Sequence, residues 1–251
     1  MRCGHWGQNK MTNTIKELIE RKSMRSYTGD KISAEAKKAI LQAACEAPTA
    51  GNQQLYTILD ITDQDIKNKL VDTCDHQPMI AEADMVLIFC ADCKKWYDAY
   101  IATGCNPRLP GEGDLLLAVC DTVIAAQNAV TAAWSLGIGS CYIGDVMENC
   151  EQQRELLKLP KYVMPVGMVI FGYPDEQQRN RVKPQRAALE FVVHENEYKP
   201  LSDAQLEEMW TPRCGSKSYL EWMQAFCNRK YNSDFSVEMT RSVRAWLEQF
   251  K

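Results

Sequence analysis

The chain has 251 residues, 45% of them hydrophobic and 25% charged, enough for a sizeable core in one domain or two and too apolar for a disordered segment. A formal net charge of -4 argues against a duplex nucleic-acid binder, whose phosphate contacts demand a basic face. The eleven cysteines are odd in number and irregular in spacing, and residues 1–10 carry no apolar stretch or helical period. These features predict a loose N-terminal tail and reduced thiols in a cytoplasmic protein.

Taken in chain order, Ile15, Leu18 and Ile19 recur at helical spacing, which predicts a short amphipathic helix with one face committed to a core. The basic run Arg21–Tyr27 projects from its end. Ala34–Ala47 reads as a helix stopped by Pro48, followed by a loop to Gln54 and a β-branched strand over Tyr56–Thr62. A helix over Asp63–Thr73, a strand over Asp84–Ala91, a helix over Lys94–Thr103 and a Pro/Gly-rich loop over Asn106–Gly113 come next. The longest helix, Asp114–Leu136, has Asp114 as its expected N-cap and is apolar nearly all round, so burial on every side is expected, partly against a second subunit. Asp121, Thr122, Gln127 and Asn128 at mid-span argue against a membrane helix. Gly137 ends it; a strand Ser140–Ile143, open backbone at Gly144, a helix Glu148–Leu159 and a buried strand Met164–Phe171 follow.

The basic run carries the most chemistry. Arg21, Lys22 and Arg25 can neutralise a phosphate dianion through charge-assisted hydrogen bonds while Ser23 adds a neutral donor; the bland alternative is a solvated basic edge. The Cys90-x-x-Cys93 pair lacks a second ligand pair for zinc, and Cys90 closes an apolar strand, so a buried structural cysteine is expected. The glycines of 137–144 do not form a dinucleotide-binding turn, because they follow a helix and precede a strand and the frame ends at Tyr142.

Read together, Arg21–Tyr27, Ala47–Gln54, Gln77 ahead of Phe89–Asp92, Asp121–Gly144, Leu156–Pro160, Gly172–Pro174, Lys183–Arg186 and Val193–Asn196 resemble the FMN-dependent nitroreductase family, in its oxygen-insensitive nitroreductase and flavin reductase branch. The resemblance covers about Met11 to Pro200. It implies an α+β fold with a mainly antiparallel sheet flanked by helices, in an intertwined homodimer with no nucleic-acid or membrane partner. One FMN-binding domain over residues 11–251 is expected, with 201–251 a helical C-terminal extension. The cofactor implied is noncovalent FMN, with NADPH or NADH as reductant. Arg21, Lys22, Ser23 and Arg25 would surround the phosphate and ribityl chain, Thr49 would approach from the partner, and Gln77 would bond the ring edge or ribityl chain. Tyr142, Ile143, Gly144 and Asp145 would lie along the ring, with a backbone amide near Gly144 facing the flavin N5, and Lys183 and Arg186 would stand beside the reduced ring; a second glycine is usual in the branch where this chain has Asp145. No side chain is expected to act as the catalytic group, and no metal is implied. The implied activity is ping-pong, two-electron reduction of nitroaromatics, quinones or flavins. Alternatives are another reaction on the same fold, such as reductive dehalogenation, or a non-enzymatic flavin- or metal-binding module.

Overall fold

The computed structural model describes residues 12–251, so the tail expected over 1–10 lies outside the described residues. The chain divides into two compact units, Met1–Arg181 with Arg241–Lys251, and Val182–Thr240. The second unit begins after Arg181, and the last eleven residues belong to the first unit.

In the first unit, α1 (Asn13–Glu20) and α2 (Ala34–Cys45) precede β1 (Tyr56–Asp60). α3 (Gln64–Thr73), capped by the Asp63 carboxylate, and the single turn α4 (Met79–Glu82) lead to β2 (Met85–Asp92). α5 (Lys94–Ala102), α6 (Glu112–Ser135), β3 (Gly139–Ile143), α7 (Cys150–Leu157), β4 (Val163–Gly172) and α8 (Glu176–Asn180) follow. The strands form an antiparallel sheet in the order β1-β2-β4-β3.

β2 is buried along its whole length, and its side chains alternate between two cores. Met85, Leu87 and Phe89 meet α2 and α6 through Ile40, Ala44, Ala126, Ala129 and Ala133, whose small side chains let the helices sit close to the sheet. Val86, Ile88 and Cys90 face the other core, which holds Leu70, Ile80, Trp246 and Phe250. Cys90 and Cys93 are both buried, and burial pushes both thiols up to about 12, so neither is a thiolate at neutral pH. The second unit carries α9 (Asp203–Trp210), α10 (Tyr219–Lys230) and the start of α11 (Asp234–Leu247).

Two expectations from the sequence need correction. α6 begins two residues early, with Gly111 at the N-cap; Asp114 is the third helical residue, and its carboxylate accepts the Gly111 N–H at 2.8 Å. Within one chain α6 buries Leu115, Ala118, Asp121, Thr122 and Ala125, while Leu116, Leu117, Val123 and Ile124 are exposed, with exposed Cys120 among them, on the side expected to meet a second subunit. Likewise Ile15, Leu18 and Ile19 of α1 stand exposed instead of entering the core. α6 is long and apolar enough to cross a membrane by length and composition, yet it packs on the sheet through a face that includes buried Asp121.

Candidate functional site

The basic segment is laid along the outer edge of the sheet. Ser23 pairs in parallel with Ser140 of β3, the Met24 N–H donates to the Ser140 carbonyl at 2.9 Å, and Tyr27 bridges to Pro174. Two glycines make this approach feasible. A Cβ on Gly139 would lie 2.7 Å from Met24 Cγ, and one on Gly172 would lie 2.7 Å from the Tyr27 ring. The Tyr27 hydroxyl donates to the Met24 carbonyl at 2.8 Å, the Arg25 N–H donates to Gln178 Oε1 at 3.2 Å, and the Ser26 hydroxyl donates to the Asp175 carboxylate.

Extended backbone sends alternate side chains to opposite sides. Met24 is buried, and with Lys22 it borders a groove containing Trp134, Tyr173 and Arg179. Arg21, Ser23 and Arg25 take the other side, beside β3. Burial raises the Cys141 thiol pKa, and the Arg25 charge, a Ser23 hydrogen bond, the Arg21 charge and an Arg25 hydrogen bond pull it back. Arg21 also faces Tyr142, whose phenol is pushed up to about 12 by the packing around it although 41% of the residue is exposed. Two guanidiniums and a hydroxyl thus converge on the start of β3.

Lys22 is placed differently from its basic neighbours. Its ammonium donates to the Arg179 carbonyl at 2.7 Å and to the Arg181 carbonyl, where it satisfies the end of α8. Arg181 in turn donates to the Ser23 carbonyl. At the far end of β3, Tyr142 and Gly144 are exposed, Ile143 is buried and Asp145 is half-buried. A Cβ on Gly144 would meet only Met147 Cε, at 3.9 Å. α3 packs against this turn, and after α3 the Gln77 amide donates to the Cys74 carbonyl at 3.0 Å.

Thr49 lies elsewhere, in the turn that feeds β1 at the opposite edge of the sheet. Its hydroxyl donates to the Asp121 carboxylate and accepts the Gln54 N–H at 2.7 Å, so its hydrogen bonding is directed into its own turn. The same carboxylate accepts the Ala50 N–H at 2.9 Å and the Leu55 N–H at 3.2 Å. Asn52 and Gln54 adopt left-handed backbone, an unfavourable choice that these bonds hold in place. Lys183 and Arg186 belong to the second unit, where Lys183 is half-buried and Arg186 exposed. Among the described residues, no three His, Cys, Asp or Glu side chains come together as a metal site.

Residues 18–173 match the model of the nitroreductase family. An oxygen-insensitive NADPH nitroreductase from Salmonella typhimurium is 36% identical over 210 residues, covering 81% of this chain and 85% of the relative. The chain belongs to the nitroreductase family. An FMN reductase [NAD(P)H] from Bacillus subtilis is 31% identical over 244 residues, covering 95% of this chain and 92% of the relative. The fold is that of the nitroreductases: the NADPH:FMN oxidoreductase from Vibrio harveyi complexed with NAD+ superposes with a TM-score of 0.81 at 26% identity, covering 94% of this chain and 98% of that one.

Asp121 was missed as a site-building residue. In the sequence it registers only as a polar interruption of an apolar helix. Nothing local in the sequence links it to the Ala47–Gln54 turn, whose own side chains, Asn52, Gln53 and Gln54, offer nearer acceptors.

Proposed function

We propose that this nitroreductase-family chain is an FMN-dependent oxidoreductase that uses NADPH or NADH to reduce nitroaromatics, quinones or free flavin by two electrons. The carrying observation is the one-sided convergence of Arg21, Ser23 and Arg25 at the start of β3, with an exposed Gly144 at its end. Ser140 and Gly144 are four residues apart along the chain, about 13 Å of extended backbone, a span that an FMN can bridge from phosphate to ring. The donor set fits the group: two guanidiniums suit a phosphate dianion, and the exposed backbone at Gly144 admits a planar ring.

FMN bound there supplies two-electron transfer between the nicotinamide and the acceptor. Arg21 and Arg25 hold the phosphate charge while Ser23 donates a hydroxyl hydrogen bond. Lys22 supports them from behind by tying α8 to the segment, and its donors are directed at carbonyls. Gln77 and the Tyr142–Asp145 stretch would border the flavin ring, where an amide donor would favour negative charge on it. The apolar face of α6, Leu116, Leu117, Val123 and Ile124, together with Ile15, Leu18 and Ile19 of α1, forms the contact with a second copy in a homodimer.

The test is direct. Purified protein should be yellow and release FMN on denaturation. Anaerobic NADPH or NADH should bleach it, and a nitroaromatic, a quinone or free FMN should restore the colour. A colourless protein that takes up no FMN would overturn the proposal.

A further inference from the structure

α7 starts without a side-chain cap of its own. Its N-cap, Asn149, takes left-handed backbone, and the Asn149 amide donates to the Thr73 carbonyl at 3.0 Å instead of capping the helix. The capping hydroxyl comes from α11, 92 residues downstream: Ser242 accepts the Cys150 N–H at 3.0 Å. One turn further along α11, Trp246 donates its indole N–H to the Met147 carbonyl at 2.9 Å. Arg241 pairs with Glu151 through two hydrogen bonds of 2.8 Å. Ser242 and Trp246 are fully buried, and at four residues apart they share one face of the helix. Arg241–Lys251 belongs to the first unit, as do β3 and α7.

These bonds close on one short segment. The 3-10 turn Gly144–Met147 joins β3 to α7, and the Glu148 N–H closes it by donating to the Asp145 carbonyl at 2.9 Å. So short a turn is not self-supporting, because each of its few bonds fixes several dihedrals. Its far end is held by the indole on the Met147 carbonyl and by the capped start of α7. Val146, within it, is buried in the same core as Trp246. Its near end, Gly144, is exposed and opens off the strand at whose start Arg21, Ser23 and Arg25 converge.

We propose that Trp246 is a positioning residue for the flavin ring: its indole N–H fixes the Met147 carbonyl, and with it the Gly144–Met147 turn whose backbone would meet the ring. This rests on the FMN site proposed above. Fully buried, Trp246 acts only through the turn. Reduction places negative charge on the ring, so a loosened turn costs the reduced flavin more than the oxidised one.

Trp246→Phe keeps an aromatic ring in the core and removes the N–H. In the apoprotein, the amides of residues 144–150 should exchange hydrogen about tenfold faster, with those of β2 unchanged. In the holoprotein, oxidised FMN should keep its Kd while reduced FMN binds about tenfold more weakly, which lowers the two-electron midpoint potential by about 30 mV. Ser242→Ala uncaps α7, should move the potential in the same direction, and serves if Trp246→Phe does not fold. Phe250→Leu truncates another fully buried ring of the same core, packed against Tyr162, and should lower stability without moving the potential.

A wild-type potential in both the Trp246 and Ser242 variants would overturn the assignment. So would equal weakening of oxidised and reduced FMN, unchanged exchange at 144–150, or a shift of the same size in Phe250→Leu. The parent proposal survives each of those results, since it requires only that FMN bind and turn over. Wild-type protein that binds no FMN would overturn the parent proposal and this one with it.

Discussion

The two edges of the sheet hold their functional segments by different physics. At the β3 edge, Arg21–Tyr27 is held by main-chain pairing and by the absence of two Cβ atoms, at Gly139 and Gly172. At the β1 edge, the turn 49–55 has little ladder to join and is held mainly by side chains: the buried Asp121 carboxylate takes three of its donors, the Trp96 indole donates to the Gln53 carbonyl at 2.8 Å, and Lys95 donates to the Gln54 carbonyl at 3.3 Å. Pairing along an edge leaves side chains free to alternate, so Arg21, Ser23 and Arg25 remain available for a ligand. Anchoring on a carboxylate consumes the donors of the turn, and Thr49 is spent on its own support.

The largest effect is expected where the β3 edge meets charge. Replacing Arg21 and Arg25 together with alanine removes charge-assisted hydrogen bonds worth about 1.5–3 kcal/mol each, so the FMN Kd should rise by about a hundredfold or more. Fluorescence titration checks it, and circular dichroism should show a folded chain. Gly172→Ala comes next. Its Cβ would sit 2.7 Å from the Tyr27 ring, an overpacking that should cost about 1–3 kcal/mol in urea unfolding and loosen the whole segment. Gly144→Ala sharpens the contrast, because its Cβ meets only Met147 Cε at 3.9 Å: apoprotein stability should be nearly unchanged while FMN binding weakens.

Much of the fold was legible because period and punctuation agree. β2, β4, α2 and α3 lie within two residues of their expected bounds, since each combines a clear hydrophobic period with a Pro, Gly or capping Asp at its end. The faces were less legible than the elements. Ile15, Leu18 and Ile19 have the spacing of a core-facing stripe, but spacing does not say whether the partner surface lies in the same chain. In the basic run, composition cannot separate Lys22 from Arg21 and Arg25. The difference comes from pleat alternation and from carbonyls 157 and 159 residues away. Asp121 is hidden for the same reason, because its partners lie 66 to 72 residues upstream.

Lys22→Met tests that distinction with a smaller effect. Losing a cation at the end of α8 should cost about 0.3–1 kcal/mol and shift the FMN Kd by about threefold at most, far less than either arginine. An effect as large as that of Arg21→Ala would return Lys22 to the phosphate wall.

The smallest effect belongs to the other carboxylate of α6. Asp114 is a surface counterpart to Asp121: it accepts the Gly111 N–H at 2.8 Å and pairs with exposed Arg108, with Nη2 2.9 Å from Oδ1. The Arg108 hydrogen bond and charge, with help from the Gly111 N–H, hold its carboxyl below the usual range despite partial burial. A group whose folded pKa is depressed contributes stability above its unfolded pKa and loses it as pH falls through the folded value. Asp114→Asn keeps an acceptor for Gly111 and removes the charge, so it should cost about 0.2–1 kcal/mol at pH 7, the range of an exposed pair. That difference should shrink as the pH falls from the ordinary aspartate range through the lower folded value, where the wild-type carboxylate gains its proton. Salt should shrink it too, since the pair faces solvent, whereas the cost of Asp121→Asn should respond less to salt because Asp121 is itself buried and its partners are neutral dipoles. Equal salt sensitivity in the two variants would mean that the buried anchor and the surface pair stabilise α6 in the same way.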